Sequence, residues 1–328
     1  MLLLSRKDIT GIFTMQDAIA ADRLAFQLFT ENKTDVPLRT QIVAEKQNGT
    51  FLFMPAYAED LDAAALKIIN IFPNNIDTGL SSAPAQVLLI DGKTGYVNAL
   101  LDGTTVTQLR TGAASGVAFD VLARKKAKIG ALIGTGGQAA TQLEAMLCAR
   151  KLETVYVFDQ NPERTKSFSE QMNSTLNNYG AQILPADTSD QAISDADLII
   201  TVTPATSPVF DGSKVKAGAT ISCVGSYQPH MQEMDPVILQ RAAKIFFDSE
   251  EAVLSEAGDI LIPLANGMIT KESFTGDIGE VLTGNTTGRE TEDEIIVFKT
   301  VGIGAQDLVT AQKIYELALE KNVGTNWD

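Results

Sequence analysis

The middle of the chain reads Ile129-Gly130-Ala131-Leu132-Ile133-Gly134-Thr135-Gly136-Gly137-Gln138-Ala139. A short apolar run here leads into a GxGxxA motif, and a helical pattern follows from about Ala140. In such a motif the first glycine permits a tight turn, the second lets backbone amides approach a pyrophosphate, and the small last residue lets helix and strand pack closely. The stretch therefore predicts a dinucleotide-binding unit whose cofactor contacts come from Gly134, Thr135, Gly136, Gly137, Gln138 and Ala139.

An acidic residue marks the end of the next predicted strand. Asp159 follows Val157-Phe158 and lies twenty residues after Ala139. A carboxylate at this place accepts hydrogen bonds from the adenosine ribose hydroxyls and repels a 2′-phosphate. We therefore predict that NAD(H) is favoured, while NADP(H) stays possible because Arg164 could reach a phosphate. A solvated carboxylate at a strand end is the alternative explanation of Asp159.

Short apolar runs alternate with helical patterns from about residue 127 onward. The runs and helices are 127–133, 141–150, 154–158, 162–177, 198–202, 220–224 and 244–247. This alternation is typical of a parallel sheet covered by helices on both faces, so it predicts a doubly wound Rossmann domain. Thr201 lies near the end of the run 198–202, and Thr203 and Gly225 come directly after two of the buried runs; we predict that all three line the cofactor crevice. A simple turn before Pro204 explains Thr203 equally well.

The first 110 residues have a different pattern. Leu2 to Leu4 predicts a strand, Thr14 to Glu31 a helix, and the runs 41–44 and 87–90 two further strands. Asp91 to Gly95 predicts a hairpin turn, because aspartate and glycine tolerate positive φ. This part is predicted to be α+β. The chain ends in a helical pattern, 307–321, which we expect to return and pack on the first domain.

Composition excludes several classes of function. The 328 residues carry 41 acidic and 26 basic side chains, a formal charge of -15, which repels nucleic acid. One histidine, His230, leaves little for a histidine-based triad or zinc site, so no metal is predicted. No apolar run is long enough to span a bilayer, and two distant cysteines, Cys148 and Cys223, fit free thiols. We predict a cytoplasmic enzyme with no membrane or nucleic-acid partner.

Several further stretches resemble the ornithine cyclodeaminase and mu-crystallin family through nearly the whole chain. They are Pro37-Leu38-Arg39, Met54-Pro55-Ala56, Leu66-Lys67, 107–115, Pro229 with Glu233 and Asp235, and 298–302 before Gln306-Asp307-Leu308. The resemblance implies a substrate-binding and dimerisation domain built from both termini, 1–115 and 305–328, around a Rossmann domain, 116–304. It also implies a homodimer and hydride transfer between nicotinamide and an amino acid or cyclic imine.

The resemblance assigns the substrate carboxylate to Arg39, Lys67 and Arg110. A guanidinium offers paired donors that suit a carboxylate, and a lysine adds a compact charge near the reacting centre. The alternative for Lys67, which lies in the apolar run 63–71, is a side chain that extends to solvent. Thr111 is predicted to begin a helix, where it could meet a cofactor phosphate or act as a plain N-cap. Asp307 is explained by a helix cap as well as by catalysis.

One residue departs from the cyclodeaminase pattern. Cyclodeaminases that resemble this chain carry an aspartate two residues before Pro229, where this sequence has Tyr227. Elimination of ammonia needs a base that titrates near neutrality, and a tyrosine with a pKa near ~10 is a poor one. The sequence therefore favours reduction of a cyclic imino acid, of the Δ1-pyrroline-2-carboxylate kind, to the L-amino acid, with Tyr227 lining the pocket.

Other functions stay open at this point. A true ornithine cyclodeaminase and an alanine dehydrogenase would use the same cofactor and fold. A binding protein that has kept the nucleotide but lost turnover is a third class, against which the intact Arg39, Lys67 and Arg110 argue. His230 follows Pro229 in a polar loop and is predicted to be solvated rather than catalytic.

Overall fold

A computed structural model describes Met1 to Trp327, apart from the side chain of Ile76. Its strands are β1 (Leu2–Leu4), β2 (Thr34–Asp35), β3 (Thr40–Ala44), β4 (Gly49–Ala58), β5 (Ala63–Ile71), β6 (Ala85–Asp91), β7 (Val97–Asp102), β8 (Ile129–Ile133), β9 (Thr154–Phe158), β10 (Gln182–Pro185), β11 (Leu198–Thr201), β12 (Thr220–Cys223), β13 (Lys244–Phe247), β14 (Gly276–Asp277), β15 (Ile296–Lys299) and β16 (Thr325–Asn326). Its α-helices are α1 (Arg6–Ile12), α2 (Met15–Thr30), α3 (Gly103–Leu122), α4 (Ala139–Ala149), α5 (Pro162–Thr175), α6 (Ser189–Ile193), α7 (Pro236–Arg241), α8 (Glu250–Glu256), α9 (Gly258–Ala265), α10 (Ile278–Leu282) and α11 (Gly304–Lys321).

The chain divides into two compact units. Unit 1 comprises Met1–Arg110 and Gly302–Asp328, and unit 2 comprises Thr111–Val301. The first division falls inside α3, which begins earlier than the sequence predicts. The divisions lie a few residues before the predicted domain limits, which were 115/116 and 304/305.

Unit 1 is built on one mixed sheet. Its strand order is β16-β1-β7-β6-β5-β4-β2, and β3 pairs with β4. The neighbours from β4 to β7 are antiparallel, and β1 runs parallel to β7. Helix α11 packs against α2 and against strands β4, β5 and β6. The last helix therefore closes the core of unit 1, as predicted, and its N-terminal turn lies over β5.

Unit 2 is a doubly wound parallel sheet. Its strand order is β10-β9-β8-β11-β12-β15-β13-β14, and each neighbouring pair is parallel. The order reverses between β8 and β11, where ligands bind in open sheets of this kind. Phe119, Leu132, Leu143, Val155 and Ile200 belong to one buried apolar cluster that joins helices to the sheet. The predicted Rossmann architecture is confirmed.

Local sequence signals explain several element ends. Thr14 caps α2 in a capping box with Asp17, and Asn161 caps α5, which has a proline in its first turn. The Gly95 amide donates to the Asp91 carbonyl, which closes the predicted hairpin turn between β6 and β7. Within the described residues, no helix is long and apolar enough to cross a membrane.

Three sequence expectations were wrong or incomplete. Thr111 does not begin a helix, because α3 starts at Gly103 and Thr111 lies well inside it. Its amide is therefore committed to the helix ladder, and only its hydroxyl could serve a phosphate. Strands β10 and β15 were not predicted. Strand β10 is an edge strand with mostly exposed residues and lacks an apolar run, whereas β15 does have a short apolar run, Ile296 to Phe298, before the charged Lys299.

The packing of α11 can be tested with two leucine-sized residues on that helix. Ile314 is fully buried, whereas Leu319 is 54% exposed. Ile314→Ala should lower the free energy of unfolding by about 2–5 kcal/mol, because it removes buried methylenes and leaves a cavity. The matched control Leu319→Ala should change it by less than about 0.5 kcal/mol. Urea denaturation measures both, and equal effects would contradict this packing.

Candidate active site

The glycine loop joins β8 to α4 in unit 2. Gly134 has a φ of 104°, and a Cβ there would lie 2.7 Å from the Val202 carbonyl oxygen, so only glycine fits this turn. A Cβ at Gly136 or Gly137 would meet no protein atom within 4 Å. Among the described residues, no side chain caps the first turn of α4. The loop thus offers open space beside a helix N-terminus, which suits a pyrophosphate.

Asp159 lies beside this loop at the end of β9. Its Oδ2 accepts hydrogen bonds from the Thr135 amide at 3.0 Å and the Thr135 hydroxyl at 2.8 Å, and its Oδ1 accepts from the Asn161 amide. Partial burial works to raise the pKa of Asp159, but these hydrogen bonds outweigh it and hold the pKa below its ordinary value. The carboxylate therefore stays ionised. Arg164 donates to the Thr135 carbonyl at 3.3 Å, so it also lies at this loop.

A buried glutamate organises the carboxyl ends of β11 and β12. Glu233 Oε1 accepts from the Thr203 amide, and its Oε2 accepts from the Gly225 amide and from the Thr201 hydroxyl. A Cβ at Gly225 would lie 2.1 Å from the Thr203 carbonyl oxygen, so glycine is required for this close approach. The structure thus brings the predicted Thr201, Thr203 and Gly225 together, with protein partners for each. Their contact with a cofactor stays a prediction.

Two further charged residues lie next to Glu233. Asp259 Oδ1 accepts from the Glu233 and Met234 amides, and its Oδ2 lies 3.3 Å from Lys299 Nζ. Glu233, Asp259 and Lys299 are all fully buried. Burial, with the Asp259 carboxylate nearby, raises the pKa of Glu233. The cluster holds the backbone at this edge of the sheet through charge-assisted hydrogen bonds.

Unit 1 contains a second buried cluster, centred on Asp307. Lys67 lies in the middle of β5 and is fully buried, so the alternative of a side chain extending to solvent is excluded. Its Nζ donates to Asp307 Oδ2 at 2.6 Å. The N-cap of α11 is Ile303, and Asp307 follows within the helix. The cap explanation of Asp307 was therefore wrong, because its carboxylate is held by a lysine.

Both predicted arginines belong to the same neighbourhood. Arg110 Nε lies 3.2 Å from Asp307 Oδ1, and Arg39 Nη2 donates to the Gly302 carbonyl at 2.9 Å. A Cβ at Gly302 would lie 2.1 Å from Arg110 Nη1, so only glycine leaves room for the guanidinium here. The structure brings together the three predicted carboxylate-binding residues, Arg39, Lys67 and Arg110.

The charge of Lys67 is strongly perturbed. Burial lowers its pKa from 10.5 to about 7, with Arg110 and Arg39 acting in the same direction and Asp307 opposing them. A lysine with such a pKa exchanges a proton near neutrality, which an acid or base catalyst requires. Lys67 is therefore a candidate for proton transfer as well as for substrate binding.

The loop after β12 carries Tyr227 and His230. Tyr227 is half-buried, and burial raises the pKa of its phenol above the ordinary value. The phenol is thus protonated at neutral pH. His230 is exposed, in agreement with the sequence prediction.

Sequence reasoning missed the roles of Glu233, Asp259 and Lys299, and it left Asp307 undecided. The sequence did contain a signal for Asp259 and Lys299, because both are charged residues within apolar runs. The structure shows that both side chains are fully buried. Within Met1–Trp327, no group of three histidine, cysteine, aspartate or glutamate residues is arranged to hold a metal ion.

A family model and several known proteins are similar to this chain over nearly its whole length. A family model described as the ornithine cyclodeaminase/mu-crystallin family matches residues 1–322. A Delta(1)-pyrroline-2-carboxylate reductase of Bacillus cereus is 36% identical over 324 residues, 99% of this chain and 98% of that protein. The structure of Thermococcus litoralis Delta(1)-pyrroline-2-carboxylate reductase in complex with NADH and L-proline has a TM-score of 0.95 at 41% identity and covers 100% of both chains. An archaeal alanine dehydrogenase dimer with bound NAD has a TM-score of 0.91 at 33% identity, covering 100% of this chain and 99% of that one.

The fold and the glycine loop define a two-unit α/β protein of the dinucleotide-dependent oxidoreductase class. Within that class, the chain belongs to the ornithine cyclodeaminase/mu-crystallin family. The predicted family and fold class are confirmed.

The position of Asp159 generates a test of cofactor choice. Asp159→Ser removes the carboxylate that repels a 2′-phosphate, so the ratio of kcat/KM for NADPH to that for NADH should rise by about tenfold or more. Initial rates with each cofactor measure this ratio. The matched control is Asp293→Ser, an exposed residue of the same unit that changes the net charge equally. An unchanged ratio in Asp159→Ser would remove Asp159 from the cofactor site.

Proposed function

We propose that this protein reduces a cyclic imino acid, of the Δ1-pyrroline-2-carboxylate kind, to the L-amino acid with NADH. The observation that carries the proposal is the buried Lys67, which lies among two arginines and has a pKa near 7. The named activities of the similar reductases agree with it, and the similar structures contain NADH or NAD. The class predicted from the sequence, a nicotinamide-dependent oxidoreductase acting on carbon–nitrogen bonds, is confirmed at that level.

The charges of unit 1 suit a monocarboxylate substrate. Arg39, Lys67 and Arg110 are cationic groups, and Asp307 is the carboxylate that contacts two of them. Arg110 and Arg39 lie close enough to Lys67 to lower its pKa, so the cations form one positively charged group. A substrate carboxylate would be attracted to this group. Arginine pairs with a carboxylate through two parallel hydrogen bonds, so Arg39 and Arg110 would also orient it.

The proposed reaction needs a hydride and a proton. The glycine loop and Asp159 would hold NADH, which would supply the hydride for the imine carbon and be oxidised to NAD in doing so. Lys67 donates a proton to the imine nitrogen, so the carbon–nitrogen double bond becomes a single bond and the ring nitrogen an amine. The Lys67 amine then regains a proton from solvent. A pKa near 7 suits this exchange, because donor and recovered base are both accessible at neutral pH.

Tyr227 argues against cyclodeamination. Elimination of ammonia and ring closure need a base that is ionised near neutral pH. Burial raises the pKa of Tyr227, which leaves the phenol a hydrogen-bond donor and a poor base. Reduction of an imine requires no such base, so the residue at this position fits a reductase better than a cyclodeaminase.

An open-chain amino-acid dehydrogenase is the second candidate. The similarity to an archaeal alanine dehydrogenase, 33% identical with a TM-score of 0.91, favours it. Such an enzyme would use the same carboxylate-binding cations and the same hydride transfer. The two candidates differ in whether the substrate nitrogen is closed into a ring or supplied as ammonia.

A substrate screen decides between these functions. Purified protein should oxidise NADH fastest with Δ1-pyrroline-2-carboxylate or its six-membered homologue, about one hundredfold or more above pyruvate with ammonia. The loss of NADH absorbance measures each rate. A reversed order would support the dehydrogenase. Release of ammonia from ornithine would contradict the argument from Tyr227, and no turnover with any of these substrates would overturn the proposal.

Arg39 should affect substrate binding more than chemistry. It is half-buried, and its guanidinium donates to the Gly302 carbonyl. Arg39→Gln should raise KM for the imino acid by about 10- to 100-fold, because a charge-assisted pair is lost, while KM for NADH stays constant. Steady-state kinetics with each substrate varied measures this. The matched control is Arg164→Gln, at the glycine loop, which should leave KM for the imino acid unchanged; equal effects of the two variants would argue against a carboxylate site at Arg39.

We also propose that the protein is a cytoplasmic homodimer formed through unit 1. Among the described residues, strand β3 pairs along one side only, with β4, and its Ile42 and Val43 are 54% and 58% exposed. Exposed apolar side chains on a sheet edge mark an interaction surface. The similar alanine dehydrogenase is described as a dimer. The free thiols Cys148 and Cys223 support a reducing compartment.

A further inference from the structure

Asp307 makes the contacts that hold the two buried cations of unit 1 side by side. Its Oδ2 accepts from Lys67 Nζ at 2.6 Å, and its Oδ1 lies 3.2 Å from Arg110 Nε. Asp307 is 1% exposed and Lys67 is fully buried, so water does not screen this ion pair. One carboxylate group, divided between its two oxygens, thus holds a lysine from β5 and an arginine from α3.

We propose that Asp307 is a positioning residue for the reduction: it holds the Lys67 ammonium beside the Arg110 guanidinium and thereby keeps Lys67 charged for proton donation. This inference rests on the proposed function for its consequence in turnover. The contacts that carry it lie within unit 1 and do not depend on the identity of the substrate.

The charged groups around Lys67 make Asp307 decisive. Arg110 on α3 and Arg39, which follows β2, both disfavour a charge on Lys67, and burial acts in the same direction. Asp307 on α11 is the contacting group that favours the charge. Asp22 of α2 lies one step further away, where its Oδ2 accepts from Gln306 Nε2 at 2.7 Å. Without the Asp307 charge, Lys67 would lose its proton at a lower pH.

Substrate binding should itself favour the protonated form of Lys67. Two cations that share one carboxylate leave room for a further anion, and the carboxylate of a bound imino acid would add a negative charge near Lys67. That charge raises the affinity of Lys67 for its proton. Binding of the substrate therefore charges the proton donor, so Lys67 is best able to protonate when a substrate is present.

The test is the pH dependence of imine reduction in Asp307→Asn. Because the protonated form of Lys67 is active, wild-type kcat/KM for the imino acid should fall as pH rises through about 7. In Asp307→Asn the fall should move down by about one to two pH units, so that kcat/KM at neutral pH drops roughly 5- to 50-fold. Activity should recover towards the wild-type value as the pH is lowered. In the wild type, kcat should fall at a higher pH than kcat/KM, because the bound carboxylate holds the proton on Lys67.

Two further variants separate charge from fold. Asp307→Glu keeps the charge and should keep the fall of kcat/KM near the wild-type pH, even where the activity is lower. Asp197→Asn is the matched control: Asp197 is a buried, ion-paired carboxylate of unit 2, 2.7 Å from Lys216. It should lower the melting temperature and leave the pH profile unchanged.

Direct titration of Lys67, which needs no turnover, distinguishes the role of Asp307 from the proposed reductase function. In protein labelled at lysine Cε, the NMR resonance that Lys67→Met removes belongs to Lys67, and its titration midpoint should lie near 7 in the wild type. Asp307→Asn should shift this midpoint down. A shifted midpoint in a protein that reduces no imine would refute the proposed function and support the role of Asp307. An ordinary lysine midpoint in the wild type, or an active enzyme whose profile and midpoint are unchanged in Asp307→Asn, would overturn the inference.

Discussion

The ion pair between Lys67 and Asp307 constrains unit 1 more than any other interaction described above. The two residues are 240 positions apart in the chain, and their contact joins the middle of β5 to the first turns of α11. A buried charge without a partner costs several kcal/mol, so about 3–5 kcal/mol is lost when one member of such a pair is removed. The register of α11 on the sheet is therefore tied to the position of one carboxylate. Gln306, the preceding residue, extends the same polar contact to α2 through Asp22.

A buried ion pair stabilises the packing of a helix less effectively than well-packed apolar residues do, because both charges must first be desolvated. The ridge of apolar side chains on α11, which includes Leu308, Ala311 and Ile314, already supplies that packing. The buried charges of unit 1 are better explained by a binding role, because the cations around Lys67 attract an anion. Arg110 and Arg39 act against the charge on Lys67, and an added anion would act in its favour. Glu233, Asp259 and Lys299 in unit 2 differ from this cluster, since most of their hydrogen bonds go to backbone amides and carbonyls of the sheet edge.

The two units differ in how much of them the sequence could predict. Unit 2 follows from local patterns: β9 and β13 have the predicted limits, and Gly134 takes the positive φ that the motif implies. Strand β10 was missed because three of its four residues are exposed, which leaves no apolar run. The start of α3 was missed because Thr104, Thr105 and Thr107 have low helix propensity. Tertiary burial of that helix on nearly every side outweighs this preference.

The sequence predicts which types of residue form the candidate site, but it does not predict which of these residues contact one another. Arginine and lysine at three separate places indicated a carboxylate, but the pattern of Asp307 is the same for a helix cap and for the partner of a lysine 240 residues away. Only the fold distinguishes them, because it decides which side of the first turn of α11 faces β5. The distinction changes the chemistry: a capping carboxylate would stabilise a helix, whereas a carboxylate on Lys67 sets when that lysine holds a proton. Since the half-buried Tyr227 has a raised pKa and is a poor base, the proton chemistry proposed for this chain rests on Lys67 and on the aspartate that contacts it.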